Sequence, residues 1–320
     1  MDTNLSRNII LSDSKSQYDS YCKTLLSDKN ILAWILKSTV NEYAACSIEE
    51  IRDFYIEGIP SVSAISINAA ETNSSIIGMR NEDTIPSEGR TTYDIIFYAL
   101  SPISMETKKI IIDIEAQNNY YPGYPIPTRG IFNGCRMISA QCERDFSNSH
   151  YEKINKVYSI WICMKPPARE TNSIGSIHFI KEDLLGMVHI GHTAYDLITV
   201  LLIRLGGEKY PNYVGIIKLL DTLLSPVIPS QRKHEILQNE FNIPMTITFE
   251  KEINNMCNLS EGVYNDGFSA GFNDGISQSF EAITQVCKEL KLSKEDTLNK
   301  ALNSFKLPSE DIRQLIERYW

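Results

Sequence analysis

The sequence lacks the paired cysteines that mark a disulfide framework or a zinc site. Its seven cysteines are odd in number, and none belongs to a Cys-x-x-Cys pair. Several lie in apolar runs such as Ile160–Met164, where a small buried thiol is common. We therefore expect buried, reduced cysteines in a cytoplasmic protein.

Long hydrophobic runs are also missing. No apolar run approaches the roughly 20 residues that a membrane-spanning helix needs. The start of the chain, Met1–Asp2–Thr3–Asn4, lacks the basic and then apolar pattern of a signal peptide. The sequence therefore predicts no membrane partner and a cytoplasmic location.

Positive charge is scarce. The 31 Lys and Arg residues are outnumbered by 40 Asp and Glu residues, giving a formal net charge of −9. This balance disfavours tight non-specific binding to nucleic acid, because phosphate contacts depend on Lys and Arg. A local basic groove on an acidic body is still compatible with it.

The composition indicates an ordinary globular protein, and its pattern changes along the chain. The 320 residues are 42% hydrophobic and 22% charged, which suits a large domain with an appendage. Residues 1–27 are polar and Ser-rich and predict an N-terminal extension. Residues 28–228 mix strand and helix patterns and predict an α/β domain. Residues 229–320 predict a helical C-terminal region.

The α/β domain is expected to contain a mixed β-sheet flanked by helices. Isoleucine-rich and aromatic runs predict strands, and apolar residues at helical spacing predict helices. The expected strands are Tyr93–Leu100, Lys109–Gln117 and Lys156–Met164. The expected helices include Ile31–Val40, Arg129–Gln141, Asp196–Arg204 and Tyr213–Leu224.

Two acids are predicted to face each other across a hairpin. If Leu100 pairs with Lys109, Asp94 falls opposite Glu115, with Cβ atoms roughly 5 Å apart. Asp113 and Gln117 share the face of Glu115, because side chains alternate along a strand. Acids this close repel each other unless a cation lies between them. The spacing suits Mg²⁺, which prefers carboxylate oxygens.

Simpler interpretations of these acids remain open. Acids at strand ends are often only solvated, and a register shift of one residue would separate Asp94 from Glu115. Asp113 is expected to be a supporting or solvated acid rather than a ligand.

The same segments carry a resemblance to a known family. The residues are Asp94–Ile–Ile–Phe–Tyr–Ala and Ile110–Ile–Ile–Asp–Ile–Glu–Ala–Gln117, with flanks that include Leu32–Lys37, Arg136–Ser139 and Val157–Ile162. They resemble the PD-(D/E)xK nuclease superfamily and, more closely, its recombination-promoting nuclease family of transposase-like proteins. The resemblance covers about residues 28–228.

The resemblance implies a restriction-endonuclease-like core that hydrolyses DNA phosphodiester bonds with Mg²⁺, or with Mn²⁺ in its place. Asp94 and Glu115 would be the metal ligands, with the carbonyl of Ala116 as a third. Gln117 stands where the superfamily usually has a catalytic lysine, and Gln donates only a neutral hydrogen bond. Glu42 matches an acid that often completes such sites.

The resemblance also implies partners and a biological setting. DNA would be the substrate, in endonuclease reactions linked to transposition or recombination. A homodimer would suit an enzyme that cuts both strands. Two further residues are weaker candidates: Glu88 for the metal, and Arg129 for a phosphate.

A different class of function is compatible with the same residues. A nuclease fold with little or no activity would serve as a nucleic-acid-binding or protein-interaction module. The acidic balance and Gln117 favour this alternative, whereas the Asp94 and Glu115 pair favours the enzyme. The His189–Ile–Gly–His192 sequence matches a nucleotidyl-transferase signature, but it lacks a glycine-rich βαβ unit before it, which indicates coincidence.

Overall fold

The computed structural model describes residues 16–58, 60–62, 82–85, 89–102, 109–305 and 307–320. The chain divides into two compact units, residues 1–259 and 260–320. Among the described residues, no helix is both long and apolar enough to cross a bilayer.

The first unit contains a six-stranded mixed sheet in the order β1-β4-β5-β6-β8-β7. The central strands β5, β6 and β8 run parallel, and their neighbours β4 and β7 run antiparallel to them. Strands β2 and β3 pair antiparallel in a separate two-stranded sheet. The strands are β1 Ser61–Val62, β2 Glu82–Ile85, β3 Gly89–Thr92, β4 Ile95–Leu100, β5 Lys109–Gln117, β6 Lys156–Cys163, β7 Ser173–His178 and β8 Ile198–Arg204.

Helices lie on both faces of this sheet and continue through the second unit. Residues 16–26 are helical and are named α1. A π-helical turn, Ile51–Tyr55, directly follows α3. The other helices are α2 Lys29–Thr39, α3 Ile48–Glu50, α4 Ile126–Ser139, α5 Gly215–Leu224, α6 Ser230–Phe241, α7 Ile247–Glu289, α8 Lys294–Ser304 and α9 Ser309–Tyr319.

The larger core of the first unit lies between one sheet face and helices α1, α2, α5 and α6. Alternate residues of β5, including Ile110, Ile112 and Ile114, point into it. The start of α7 also contributes through Phe249 and Ile253. Such continuous apolar strands are typical of parallel strands covered on both faces.

Helix α4 covers the opposite face, and two glycines allow its close approach. A Cβ atom built at Gly130 would lie 2.5 Å from Cγ1 of Val200 and 2.9 Å from Nε1 of Trp161. One built at Gly134 would lie 2.7 Å from Cγ2 of Ile198. The helix therefore presses its backbone onto β6 and β8, and it runs from the carboxyl end of β6 towards its start.

The N-terminal segment differs from the expected extension. Within residues 1–27, those from 16 onward include a helix whose Cys22, Leu25 and Leu26 are buried in the larger core. The apolar residues follow a Ser-rich stretch and are spaced as on one face of a helix. The polar average composition of residues 1–27 therefore hid an amphipathic helix.

Two further expectations differ from the structure. Residues Asp196–Arg204 were expected to form a helix, but Ile198–Arg204 is strand β8, buried beside β6. A short apolar run does not distinguish the two states by periodicity. The expected domain boundary at residue 228 also differs, because Leu237 of α6 and Ile253 of α7 belong to the first unit's core.

The second unit has its own small core. Phe280 of α7 packs with Ala301 of α8 and with Ile312 and Ile316 of α9. Ser293 caps α8 by accepting from the backbone N–H of Asp296. The second unit, residues 260–320, is therefore built from helices that pack around this core.

Adding a methyl group at Gly130 tests the packing of α4. We expect Gly130→Ala to lower the free energy of unfolding by about 1–2 kcal/mol, because overpacking against Val200 and Trp161 outweighs the better helix propensity of alanine. Urea denaturation measures the change. Gly191→Ala is the control, since a Cβ there meets no atom within 4 Å. Equal stability of the two variants would contradict the close packing of α4.

Candidate functional site

The structure brings Asp94 and Glu115 together. Strands β4 and β5 pair from Leu100 with Lys109 to Ile95 with Ile114, as the expected register requires. The next pair outward in this register is Asp94 and Glu115. The backbone N–H of Ala116 donates to Oδ2 of Asp94 at 3.1 Å, which fixes one carboxylate beside the other strand.

Asp113 is fully buried behind this pair. Its Oδ2 accepts from Oγ of Ser159 at 3.1 Å, and Ser159 in turn accepts from Nε1 of Trp161 at 2.9 Å. From α4, Nδ2 of Asn133 reaches Oδ2 of Asp113 at 3.5 Å and Oε1 of Glu115 at 3.3 Å. Asp113 is thus a supporting acid beneath the half-buried Glu115.

Burial raises the pKa of both acids. It raises the pKa of Asp113 to about 7, and the nearby charge of Asp94 adds to the rise. Burial also raises the pKa of Glu115 well above its ordinary value, with the charges of Asp113 and Asp94 adding to the effect. The contact between the two side chains lowers the pKa of Asp113 and raises that of Glu115, which partly opposes the effect of burial on Asp113.

One oxygen of Asp113 is buried without a hydrogen-bond donor among the described groups. In the described part of the chain, no side-chain or backbone donor reaches Oδ1 of Asp113. A proton on Glu115 would satisfy it, and a cation would do so equally well. An unpaired buried acceptor is costly, so this oxygen marks a place where a positive ligand is favoured.

Sequence reasoning missed a lysine and an acid that complete the cluster. Nζ of Lys23 lies 2.8 Å from Oδ1 of Asp94 and 2.8 Å from Oδ2 of Asp19. The side chain of Lys23 is only 7% exposed. Asp19 and Lys23 stand four residues apart, a spacing that pairs side chains along a helix. That spacing was the available signal, but nothing in it identifies Asp94 as the third partner.

Asp94 and Asp19 both affect the pKa of Lys23. Burial alone would lower the pKa of Lys23, but the Asp94 carboxylate and the hydrogen bonds to both acids raise it overall. For Asp19, burial outweighs the effect of Lys23 and raises its pKa. Of the two acids, Asp94 therefore has the larger effect on the pKa of Lys23.

Gln117 and Arg129 lie at the same end of the sheet. Nε2 of Gln117 donates to the carbonyl of Asn119 at 2.5 Å, so the amide holds the following loop. Arg129 lies in the first turn of α4, with its guanidinium 5.3 Å from the ring centre of Phe132. Glu88 lies outside the described residues.

Glu42 is not part of this site, contrary to expectation. Its Oε2 accepts from the hydroxyl of Tyr158 at 2.6 Å, and its Oε1 lies 3.3 Å from Nζ of Lys156. Lys156 also pairs with Asp196 at 2.7 Å. Lys156 lies beside Ile110 in the sheet, five residues or about 16 Å along the strand from Glu115. The sequence did not reveal that the turn after α2 meets the opposite end of the sheet.

The donor atoms are of the kind that Mg²⁺ prefers, but they are not assembled as a complete metal site. Asp94, Glu115 and the orphaned oxygen of Asp113 supply hard carboxylate oxygens. Across the described ranges, however, no three or more His, Cys, Asp or Glu side chains are grouped so that they could hold a metal ion. Binding would require Asp94 to share its carboxylate between the metal and Lys23.

Comparison with known proteins finds no matching family model, no matching curated protein and no matching solved structure. The nuclease interpretation therefore rests on the residues themselves and on their geometry.

The raised pKa of Asp113 predicts a pH-dependent stability. Between its usual value near 4 and its folded value of about 7, the folded chain binds more protons than the unfolded chain. The free energy of unfolding should therefore fall as pH rises through this window. Asp113→Asn removes the titrating group and should flatten the slope. Urea denaturation from pH 4.5 to 8 measures both proteins, and equal slopes would contradict the assignment.

Divalent cations should stabilise the cluster. We expect Mg²⁺ to raise the melting temperature of the wild type by a few degrees relative to EDTA, because it binds the folded state alone. Asp94→Asn should lose this rise and Asp53→Asn, at the exposed Arg52 pair, should keep it. Thermal denaturation measures the three proteins. A rise that persists in Asp94→Asn would place the cation elsewhere.

Proposed function

We propose that the first unit is a restriction-endonuclease-like domain that hydrolyses DNA phosphodiester bonds with a divalent metal. The observation that carries the proposal is the convergence of Asp94, Glu115 and buried Asp113 at one end of a mixed sheet, where an oxygen lacks a donor. A purely structural site would not gain from burying two acids whose pKa values are raised, beside a third acid. The family resemblance of these same segments adds support.

Each residue has a distinct role in this proposal. Asp94 and Glu115 would hold Mg²⁺ or Mn²⁺, which supplies an activated water and polarises the phosphoryl group. Asp113 would accept from Ser159 and Asn133 and so orient Glu115. The Ala116 N–H would keep Asp94 in position.

Lys23 would supply the positive charge that Gln117 lacks. Its ammonium is fixed next to Asp94 and remains charged, so it is suited to donate to a phosphate oxygen as negative charge develops. Gln117 would act through the loop it holds rather than on the reacting atoms. DNA recombination or transposition would be the setting implied by the resemblance.

A second candidate is a nuclease fold that binds nucleic acid or protein without efficient turnover. The observation that favours it is the engagement of both oxygens of Asp94, one by Lys23 and one by Ala116. A metal would have to compete with the ammonium for the first of these.

A plasmid-nicking assay distinguishes the two candidates. With Mg²⁺ or Mn²⁺ at low salt the wild type should convert supercoiled plasmid to open circles, and EDTA should stop it. Glu115→Gln should reduce the rate at least about a hundredfold, since a metal ligand is removed. Glu152→Gln, an exposed acid far from the cluster, is the matched control.

Two results would count against the enzyme. If wild type and Glu115→Gln nick equally, the activity is a contaminant. If no metal supports nicking by a folded wild type, the second candidate stands.

A further inference from the structure

Exposed aromatic residues lie in the loop that follows β5 and on α4, the two elements that carry Glu115 and Asn133. Tyr121 and Tyr124, in the loop after β5, are 72% and 46% exposed, and Phe132 on α4 is 42% exposed. Arg129 lies against the ring of Phe132. We call these four residues the aromatic rim. Large exposed aromatics in a group are typical of binding surfaces rather than of inert surface.

Chain connections place the aromatic rim beside the acids. Tyr121 follows Glu115 by six residues, and the loop between them begins at the carboxyl end of β5. Phe132 immediately precedes Asn133, whose amide contacts Glu115. Gly130 packs against Trp161, the neighbour of Glu115 in the sheet. A chain bound across the aromatic rim would therefore pass the half-buried face of Glu115.

The loop that carries Tyr121 is held in place. Nε2 of Gln117 donates to the Asn119 carbonyl, and the N–H of Tyr121 donates to Oδ1 of Asn119 at 3.1 Å. The ring of Tyr120 packs edge-on against Tyr121, with centroids 5.3 Å apart. Arg204 donates to the Tyr120 hydroxyl at 3.0 Å. These contacts already fix the loop, so the loop would lose little conformational freedom when a ligand binds.

The chemistry of the aromatic rim suits unpaired nucleobases. Aromatic rings and an arginine plane stack on any base, because every base has a π-face. In a duplex those faces are already covered by neighbouring bases. Stacking also needs less positive charge than phosphate-driven binding, which is consistent with a chain of net charge −9.

Some positive charge is nevertheless available at this edge of the sheet. Exposed Lys165 follows β6 two residues after Cys163, which pairs with Gln117. The side chain of Arg169 is 83% exposed, with its Nε 3.4 Å from Oε1 of Glu170. These groups complement a phosphate backbone that runs past the rim.

Resting on the proposed nuclease function, we propose that the site takes single-stranded nucleic acid, with unpaired bases stacked on Tyr121, Tyr124 and Phe132. Gln117 then serves as the residue that orders the base-stacking loop. This assigns single-stranded DNA, or a single-stranded stretch within a duplex, as the preferred substrate.

Binding without cleavage tests the proposal. Fluorescence anisotropy of the full chain in EDTA compares labelled 20-nucleotide oligo-dT, oligo-U, an abasic strand and a mixed-sequence duplex of the same length. The wild type should bind oligo-dT at least about tenfold more tightly than the abasic strand and the duplex. Comparison with oligo-U shows whether the sugar contributes to the preference.

Substitutions locate the effect. Tyr121→Ala with Tyr124→Ala should weaken oligo-dT binding about tenfold or more and leave the weak duplex binding unchanged. The double Tyr→Phe variant should bind as the wild type does, because the rings remain. Tyr151→Ala is the matched control, since Tyr151 is 65% exposed and precedes β6 at the other end of the sheet.

The outcomes separate this proposal from the proposed function. Equal binding of the abasic strand and oligo-dT, or an unaffected double alanine variant, would overturn base stacking even if plasmid nicking succeeds. Selective oligo-dT binding that depends on both tyrosines would support it even if no metal promotes cleavage, and only the hydrolytic function would then fail.

Discussion

The Lys23 ammonium lies between the carboxylates of Asp19 and Asp94, 2.8 Å from each, where little water reaches it. Burying an isolated charge is costly. The opposite charges of the ammonium and the two carboxylates offset this cost for one another. The ion pair ties α1 to the start of β4. Asp113 and Glu115 have no such partner among the described side chains, and burial raises the pKa of both. The other polar side chains of the site, Asn133 and Ser159, contact these two acids.

The sheet determines which residues take part. Antiparallel pairing of β4 with β5 brings Asp94 to Glu115, and the pleat puts Asp113 on the same face. Parallel pairing of β5 with β6 then sets Ser159 beside Asp113. Helix α4 lies close to this face, so the Asn133 amide reaches the acids. The first turn of α4 lies at the edge of the site. The glycines that permit this packing therefore contribute to the site without touching it.

A negative net charge is compatible with the proposed nucleic-acid binding in this arrangement. A protein with few basic residues gains little from phosphate contacts, but aromatic side chains bind bases through their faces. The proposed preference for unpaired strands and the proposed metal chemistry draw on adjoining parts of one sheet end. They remain separable, because the rings of Tyr121 and Tyr124 are not among the acids that would hold a metal.

The sequence by itself determined the strands β4, β5 and β6, because isoleucine-rich and aromatic runs are local signals. It left open a shift of one residue in the register that sets Asp94 opposite Glu115, and the structure decided it. Helix α4 and most of the later helices followed from local periodicity as well. Strand β8 did not, since a short buried run looks alike in helix and strand. Only the tertiary structure brought Lys23 to Asp94 and Ser159 to Asp113, and only it carried Glu42 to the far end of the sheet. Those contacts join residues 46 to 116 positions apart. Which buried charges meet is decided by how the helices pack on the sheet, not by any local pattern.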